Sequence, residues 1–345
     1  MAEAVVTGTG RDSSVAQTRA AGFSLRNVGQ ETLVLGTTVI IFVLCSIFVT
    51  GFFTLPNIAT LARSVSVLGI LGVGMTVVVI GRGLDLSQVA ILATCAAWSL
   101  KLIGMDFSLG TGLAMGFGLA ILIGIMNGFA IAIVGIPALF TTLATGTFVY
   151  GIGRWLLLDG IITYVPDNQE FLIALGQGEI AGIPVPLVIF ALVALVGHLI
   201  MSRTTVGRFI YAFGDNAEAA RLTGVSVRVL TMGQYVFSAA VAFLAGLVTA
   251  GSVASINTNV FSSSLIFDVL LIVVLGGVSL SGGRGSIASV LAGTALIGTL
   301  LNAMILLDIQ GDVQNIVKSV VLLGAIALDR KLHPRDEETA RQGDL

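Results

Sequence analysis

The segment GDNAEAARLTGVSVRVL, residues 214–230, interrupts a chain that is otherwise close to hydrocarbon. ALVALVGHLI (191–200) precedes it and VFSAAVAFLAGLV (236–248) follows it. Asp215, Glu218, Arg221 and Arg228 fall between, in an order suited to a short solvated helix. An element of that polarity needs water and its flanks avoid it, so the chain is read as leaving and re-entering a membrane.

Composition agrees. Of 345 residues, 56% are hydrophobic and 10% are charged, whereas soluble domains carry about 25% charged residues. A helix needs about 20 apolar residues to cross roughly 30 Å of hydrocarbon. Ten segments are candidates: 33–51, 58–80, 87–103, 110–134, 138–158, 184–201, 229–251, 264–281, 286–306 and 313–329. The expected fold is all-α, a polytopic transmembrane helical bundle of about ten spans. Segments 58–80 and 138–158 are long and interrupted by polar residues or glycine, so broken or re-entrant helices are expected there. The expected organisation is a tail at 1–31, a membrane domain at 32–329 containing a polar loop at 203–228, and a tail at 330–345.

Charge sets the orientation, because basic residues collect on the cytoplasmic side. Ten spans place Arg11, Arg19, Arg26, Arg82, Arg203, Arg208, Arg221, Arg228, Arg284, Arg330, Lys331, Arg335 and Arg341 on one side. The other side receives the acidic loops 159–180 and 307–312, with Lys101 against the trend. Both termini are therefore expected in the cytoplasm. The first thirty residues hold arginines and no apolar core, so no secretory signal is expected there.

Several chemistries are missing from the sequence. No GxxxxGK[ST] phosphate loop is present. Cys45 and Cys95 stand apart in apolar runs, and His198 and His333 have no companions, so no metal or catalytic set is expected. Asp268, Arg63, Arg154 and Lys318 are the few ionisable groups within or beside apolar runs, too few to read as a proton relay. Transport without an internal energy source remains, with membrane lipid as surroundings and no nucleic acid partner. Gly72/Gly74, Gly112/Gly116 and Gly124/Gly128 suit close helix packing in lipid.

Within the polar loop, Asn216 or Asp215 can cap a short helix beginning near Ala217. Glu218 in its first turn and Arg221 later match the helix dipole, and Gly224 supplies a left-handed stop. The small Ala219 and Ala220 suit docking into a groove on a partner. In the apolar runs, Asn127, Thr141, Thr142, Thr145 and Asn302, with Phe140 and Phe148, form a scattered amide, hydroxyl and aromatic set, the candidate lining of a solute path; Asn127 and Asn302 equally suit a bridge between helices. Asp85, Asp268 and Arg284 are candidates for gating or for structural contacts.

EAARLTG (218–224) resembles the EAA-xxx-G motif of ABC importer permeases, whose loop docks onto a cytoplasmic ATPase. GRGLDLSQVAIL (81–92), NGFAIAIVGIPALFTTLATGTFVYGI (127–152), TTVGRFIYAFGDNAEAARLTGV (204–225) and LIVVLGGVSLSGGRGS (271–286) are similar, in order, to signature segments of sugar permeases of the ribose-transporter type. Arg82 stands where that family usually has glycine, Gln88-Val89-Ala90 replace Val-Gly-Ser, and the usual hydrophobic-proline ending after Gly224 is absent.

The resemblance implies a permease subunit in a bacterial inner membrane that moves a monosaccharide. It implies pairing with a second permease, identical or related, with two ATPase subunits that use ATP and Mg, and with a periplasmic or lipid-anchored binding protein. The chain itself would bind no cofactor. Gly214, Asp215, Asn216, Glu218, Ala219, Ala220, Arg221 and Gly224 would form the ATPase-coupling element. Two alternatives stay open: a permease for branched-chain amino acids or another small solute, and a carrier that works without ATP.

Overall fold

The computed structural model describes residues 30–332, and the outer parts of both expected tails lie outside the described residues. The chain is mostly helical: α1 (Gln30–Phe48), α2 (Leu55–Ile80), α3 (Gln88–Gly104), α4 (Leu109–Phe129), α5 (Ala138–Ile152), α6 (Glu170–Gln177), α7 (Val185–Arg203), α8 (Thr205–Asp215), α9 (Ala217–Leu222), α10 (Val227–Val253), α11 (Leu265–Gly276), α12 (Ile287–Leu306) and α13 (Gly311–Leu332). A five-residue π-helical stretch extends α4 to Val134 and another extends α5 to Leu157. Each of the ten apolar segments overlaps one of these helices. Among the described residues, five helices are long and apolar enough to cross a membrane: α2, α4 with its extension, α7, α10 and α12.

α2 forms the centre. From Leu68 to Ile80 it is buried on every side, packed against α7, α10, α11 and α12. The second long helix, α10, lies against α2, α3, α4 and α6. The outer helices keep apolar faces uncovered, for example Leu122, Ile125 and Phe129 on α4 and Leu192, Leu195 and Leu199 on α7. A helix that is apolar all round and buried on only one side suits a hydrocarbon surrounding.

Burying apolar surface gives little drive for helices to associate in lipid, so close packing must supply it. α4 meets α3 and α10 through glycines. A Cβ on Gly112 would strike Ile103, and one on Gly116 would press on the Cys95 carbonyl at 2.8 Å. On Gly124 and Gly128 it would meet the α10 backbone, at Tyr235 O (2.8 Å) and Met232 Cα (2.6 Å). The expected break in 58–80 is absent. α2 is one uninterrupted helix because its glycines receive neighbours, Phe190 on Gly69, Val290 on Gly72 and Gln88 on Gly74. The interruption falls elsewhere. The expected span 264–281 stops as a helix at Gly276, where Gly277 turns left-handed at φ 100°.

The two ends of the bundle differ in charge. At one end the 159–184 connection folds into a strand β1 (Ile162–Tyr164), helix α6 and the two-residue strands β2 (Glu179–Ile180) and β3 (Ile183–Pro184). β1 pairs antiparallel with β4 (Ser255–Asn257), which follows α10. Two bases at this end are paired, Arg63 with Glu179 at 3.1 Å and Lys101 with Asp159 at 2.8 Å. The opposite end carries α8, α9 and the exposed Arg203, Arg208, Arg221, Arg228 and Arg284. Within the bundle, Asn57 and Asn302 exchange amide hydrogen bonds at 2.9 and 3.0 Å, tying α2 to α12. Lys318 donates to Asp268 and Ser264, tying α13 to α11.

Gly128→Val forces a branched side chain into the α10 backbone, and overpacking of this kind costs about 1–3 kcal/mol. Thermal unfolding in mild detergent should fall accordingly. Gly118→Ala, where an added Cβ meets nothing within 4 Å, should leave the midpoint unchanged or slightly raised.

Candidate functional site

α9 is built as its sequence requires. Asn216 adopts an extended backbone, and its Oδ1 accepts from the amides of Glu218 (3.1 Å) and Ala219 (2.9 Å). Asn216 is thus the cap, and Asp215 is the last residue of α8. Glu218 lies in the first turn, Arg221 in the last, and Gly224 takes φ +83° two residues beyond the helix. Ala220 faces inward and is buried, whereas Glu218, Ala219 and Arg221 are exposed. Leu222 is 85% exposed, an apolar tip on an otherwise polar projection.

Beneath α9 three backbones cross. A Cβ on Gly214 would collide with Ile80 O at the end of α2 and with Gly283 N in the turn 281–285. That turn holds itself in place: Gly283 N donates to Ile80 O at 2.8 Å, and the Tyr211 hydroxyl donates to Gly285 O at 2.8 Å. Gly282, Gly283 and Gly285 all have positive φ there, which glycine alone adopts without strain. Arg284 points from this turn into solvent.

The 81–87 connection between α2 and α3 joins this crossing to the interior. Arg82, left-handed at φ 63°, donates from Nε to Gly214 O (2.8 Å) and from Nη2 to Asp215 O (2.7 Å). A guanidinium on the last carbonyls of α8 is placed as the helix dipole favours. Three residues on, Asp85 is fully buried. One carboxylate oxygen accepts from the Ser87 amide and hydroxyl, and the other accepts from the Ser238 hydroxyl at 2.6 Å. Each serine is in turn a partner of an amide: Asn127 Nδ2 donates to Ser87 at 2.9 Å and Gln88 Nε2 donates to Ser238 at 2.7 Å. Two amides, two hydroxyls and one carboxyl group thus form one buried network across α3, α4 and α10. The amide oxygens of Gln88 and Asn127 have no hydrogen-bond partner in it.

α5 joins the same connection through Thr142. Its hydroxyl accepts from Leu86 N at 3.1 Å and lies 3.1 Å from Leu84 O. A cavity of about 720 Å³ opens beside Gly81, Arg82 and Gly83, with Pro137 and Ala138 at the start of α5 on one wall and Arg221 and Arg228 on another.

Of the residues singled out from sequence, Asp85, Asn127 and Thr142 come together here. Thr141 is buried and bonds back to Pro137 O of its own turn. Thr145 is half-buried, and Phe140 and Phe148 expose their rings on the outside of α5. Asn302 and Asp268 lie apart, engaged with Asn57 and Lys318. Asp85 does not cap α3 itself. It sits three residues before Gln88 and organises Ser87, the residue at the cap position. Ser238 was not singled out, and Arg82 and Gln88 stood out only as departures from a signature, with no partner assigned. The partner of each lies on another element, which no local pattern names.

Ser238→Ala removes one of the Asp85 donors and the acceptor of Gln88. The expected loss is about 1–3 kcal/mol, the range for leaving buried polar groups unpaired. Thermal unfolding should separate it from Ser252→Ala, whose hydroxyl bonds only its own helix at Val248 O.

Residues 57–326 match the model of a family described as branched-chain amino acid transport system, permease component. The chain is 33% identical over 296 residues to a ribose import permease protein of Haemophilus influenzae, covering 85% of this chain and 91% of that one. It is 34% identical over 310 residues to an L-arabinose transport system permease protein of Escherichia coli, covering 89% and 93%. A galactofuranose transporter permease protein of Escherichia coli is 32% identical over 255 residues, covering 74% of each chain. No solved structure matches the chain.

Proposed function

The chain belongs to the family of branched-chain amino acid transport system permease components, and from that premise we propose that it imports a monosaccharide as the membrane subunit of an ATP-driven transporter. It is a multi-span translocation subunit and not an enzyme. In this reading ten helices cross the bacterial inner membrane with both termini in the cytoplasm, and two permease subunits pair. ATPase subunits that use ATP and Mg dock on α9, and a periplasmic or lipid-anchored binding protein delivers the sugar at the acidic end.

One observation carries the substrate class. Relatives whose names specify ribose, L-arabinose and galactofuranose each align over about three quarters of this chain or more. The chemistry of the candidate pathway supports it. Asn127 keeps an unpartnered amide oxygen and Thr145, another candidate pathway residue, is half-buried; these neutral groups suit a polyol better than a zwitterionic amino acid with two charges to neutralise. A permease that only passes its solute between two states needs no tight site. A bound partner shifts the balance through its differential affinity for those states.

The docking role rests on the geometry of α9, a capped, exposed projection with a fixed stop. Glu218→Lys reverses a charge in its first turn, and Gly224→Pro asks for φ near −65° where the chain has +83°. Both variants should insert in the membrane normally and lose the co-purifying ATPase. Uptake of labelled ribose, arabinose and galactofuranose in proteoliposomes tests the whole reading. ATP-dependent import of one of them is expected, and uptake by the chain alone without ATP would replace the reading with that of a self-sufficient carrier.

A further inference from the structure

A docking helix does not explain by itself how its displacement reaches the interior of the bundle. The 81–87 connection touches both the end of α8, just before α9, and the buried helices. At Arg82 it holds the carbonyls of Gly214 and Asp215, immediately before the Asn216 cap of α9. At Leu84 and Leu86 it holds Thr142 of α5. Between and beyond, Asp85 and Ser87 hold Ser238 of α10 and Asn127 of α4.

We propose that Arg82 is a positioning residue that carries displacement of α9 into the start of α5 through the 81–87 connection. Two charge-assisted bonds to adjacent carbonyls fix both the distance and the direction of the α8 end, which a single bond would not. The Asp85 network makes the far half of the connection stiff, because its carboxyl group and both serines are hydrogen-bonded to buried groups of α3, α4 and α10. The cavity of about 720 Å³ lined by Arg82 and by Pro137 and Ala138 leaves room for the start of α5 to move with this segment. The left-handed backbone of Arg82 is unfavourable for any side chain but glycine's. An arginine held there is consistent with the guanidinium being needed at that point.

This inference rests on the importer reading. Its test uses the permease in complex with its co-purifying ATPase in proteoliposomes, with the binding protein and the transported sugar supplied. Arg82→Gly tolerates the left-handed backbone and removes the whole side chain, and Arg82→Met keeps the aliphatic stem and removes only the guanidinium, so the two must agree. Both should assemble at wild-type stoichiometry and hydrolyse ATP within about twofold of wild type, yet import about tenfold less sugar per ATP. Arg82→Lys, with one ammonium in place of a fork, should fall between. Amide exchange gives a second reading. Adding ATP should change protection across residues 81–88 in the wild type. In Arg82→Gly that change should vanish while the change at 217–224 remains.

Wild-type sugar imported per ATP in Arg82→Gly or Arg82→Met would overturn the proposal, and so would an 81–88 segment in the wild type that ignores ATP. If the variants fail to assemble, the wild-type exchange experiment still decides. Failure of the importer reading looks different, because the wild type itself would then show no associated ATPase and no ATP-dependent uptake.

Discussion

Asp85 has no exposed surface, and an unpaired carboxylate in such a place is among the least tolerable groups a membrane bundle can hold. Its three donors come from Ser87 and Ser238, and the two serines are themselves oriented by Asn127 and Gln88. The requirement to satisfy one buried carboxyl group thus fixes α3, α4 and α10 against each other. It also pins the far end of a seven-residue connection whose near end grips α8. The arrangement of the interior around α2 depends on that requirement more than on apolar burial, since apolar surface is equally at home in lipid.

Packing does the remaining work, through backbones that approach closely. Gly124 and Gly128 bring α4 onto α10, Gly276 and Gly293 bring α11 onto α12, and Gly214 brings α8 onto the end of α2. In each case the neighbour is main chain, which cannot rotate aside as a side chain can. The bundle is consequently rigid where these contacts lie and adaptable where helices meet through longer side chains. The ion pairs follow the same division. Asp268 and Lys318 are sealed in the bundle, while Arg63 and Lys101 find their acids at the water-facing end.

Much of this was legible in the sequence because the signals are local. Apolar length placed the helices. Asn216, Glu218, Arg221 and Gly224 specified a short capped helix and its stop, and the structure forms it over Ala217–Leu222. What escaped was non-local. Nothing near Ser238 in the sequence names Asp85, 153 residues earlier, as its partner. Asn302 read as an amide that bridges helices or lines a cavity; the structure shows the bridge, but no sequence pattern names Asn57 as its partner. The expected break in α2 failed for a related reason. A glycine inside an apolar run signals either a hinge or a close neighbour, and only the partner helix distinguishes them.

Leu222 at the tip of α9 is 85% exposed. A single apolar side chain in water is ordinary and needs no cover to be stable. Its burial in any contact made by this end of the loop would add affinity that salt does not weaken, unlike an ion pair made by its neighbours Glu218 or Arg221.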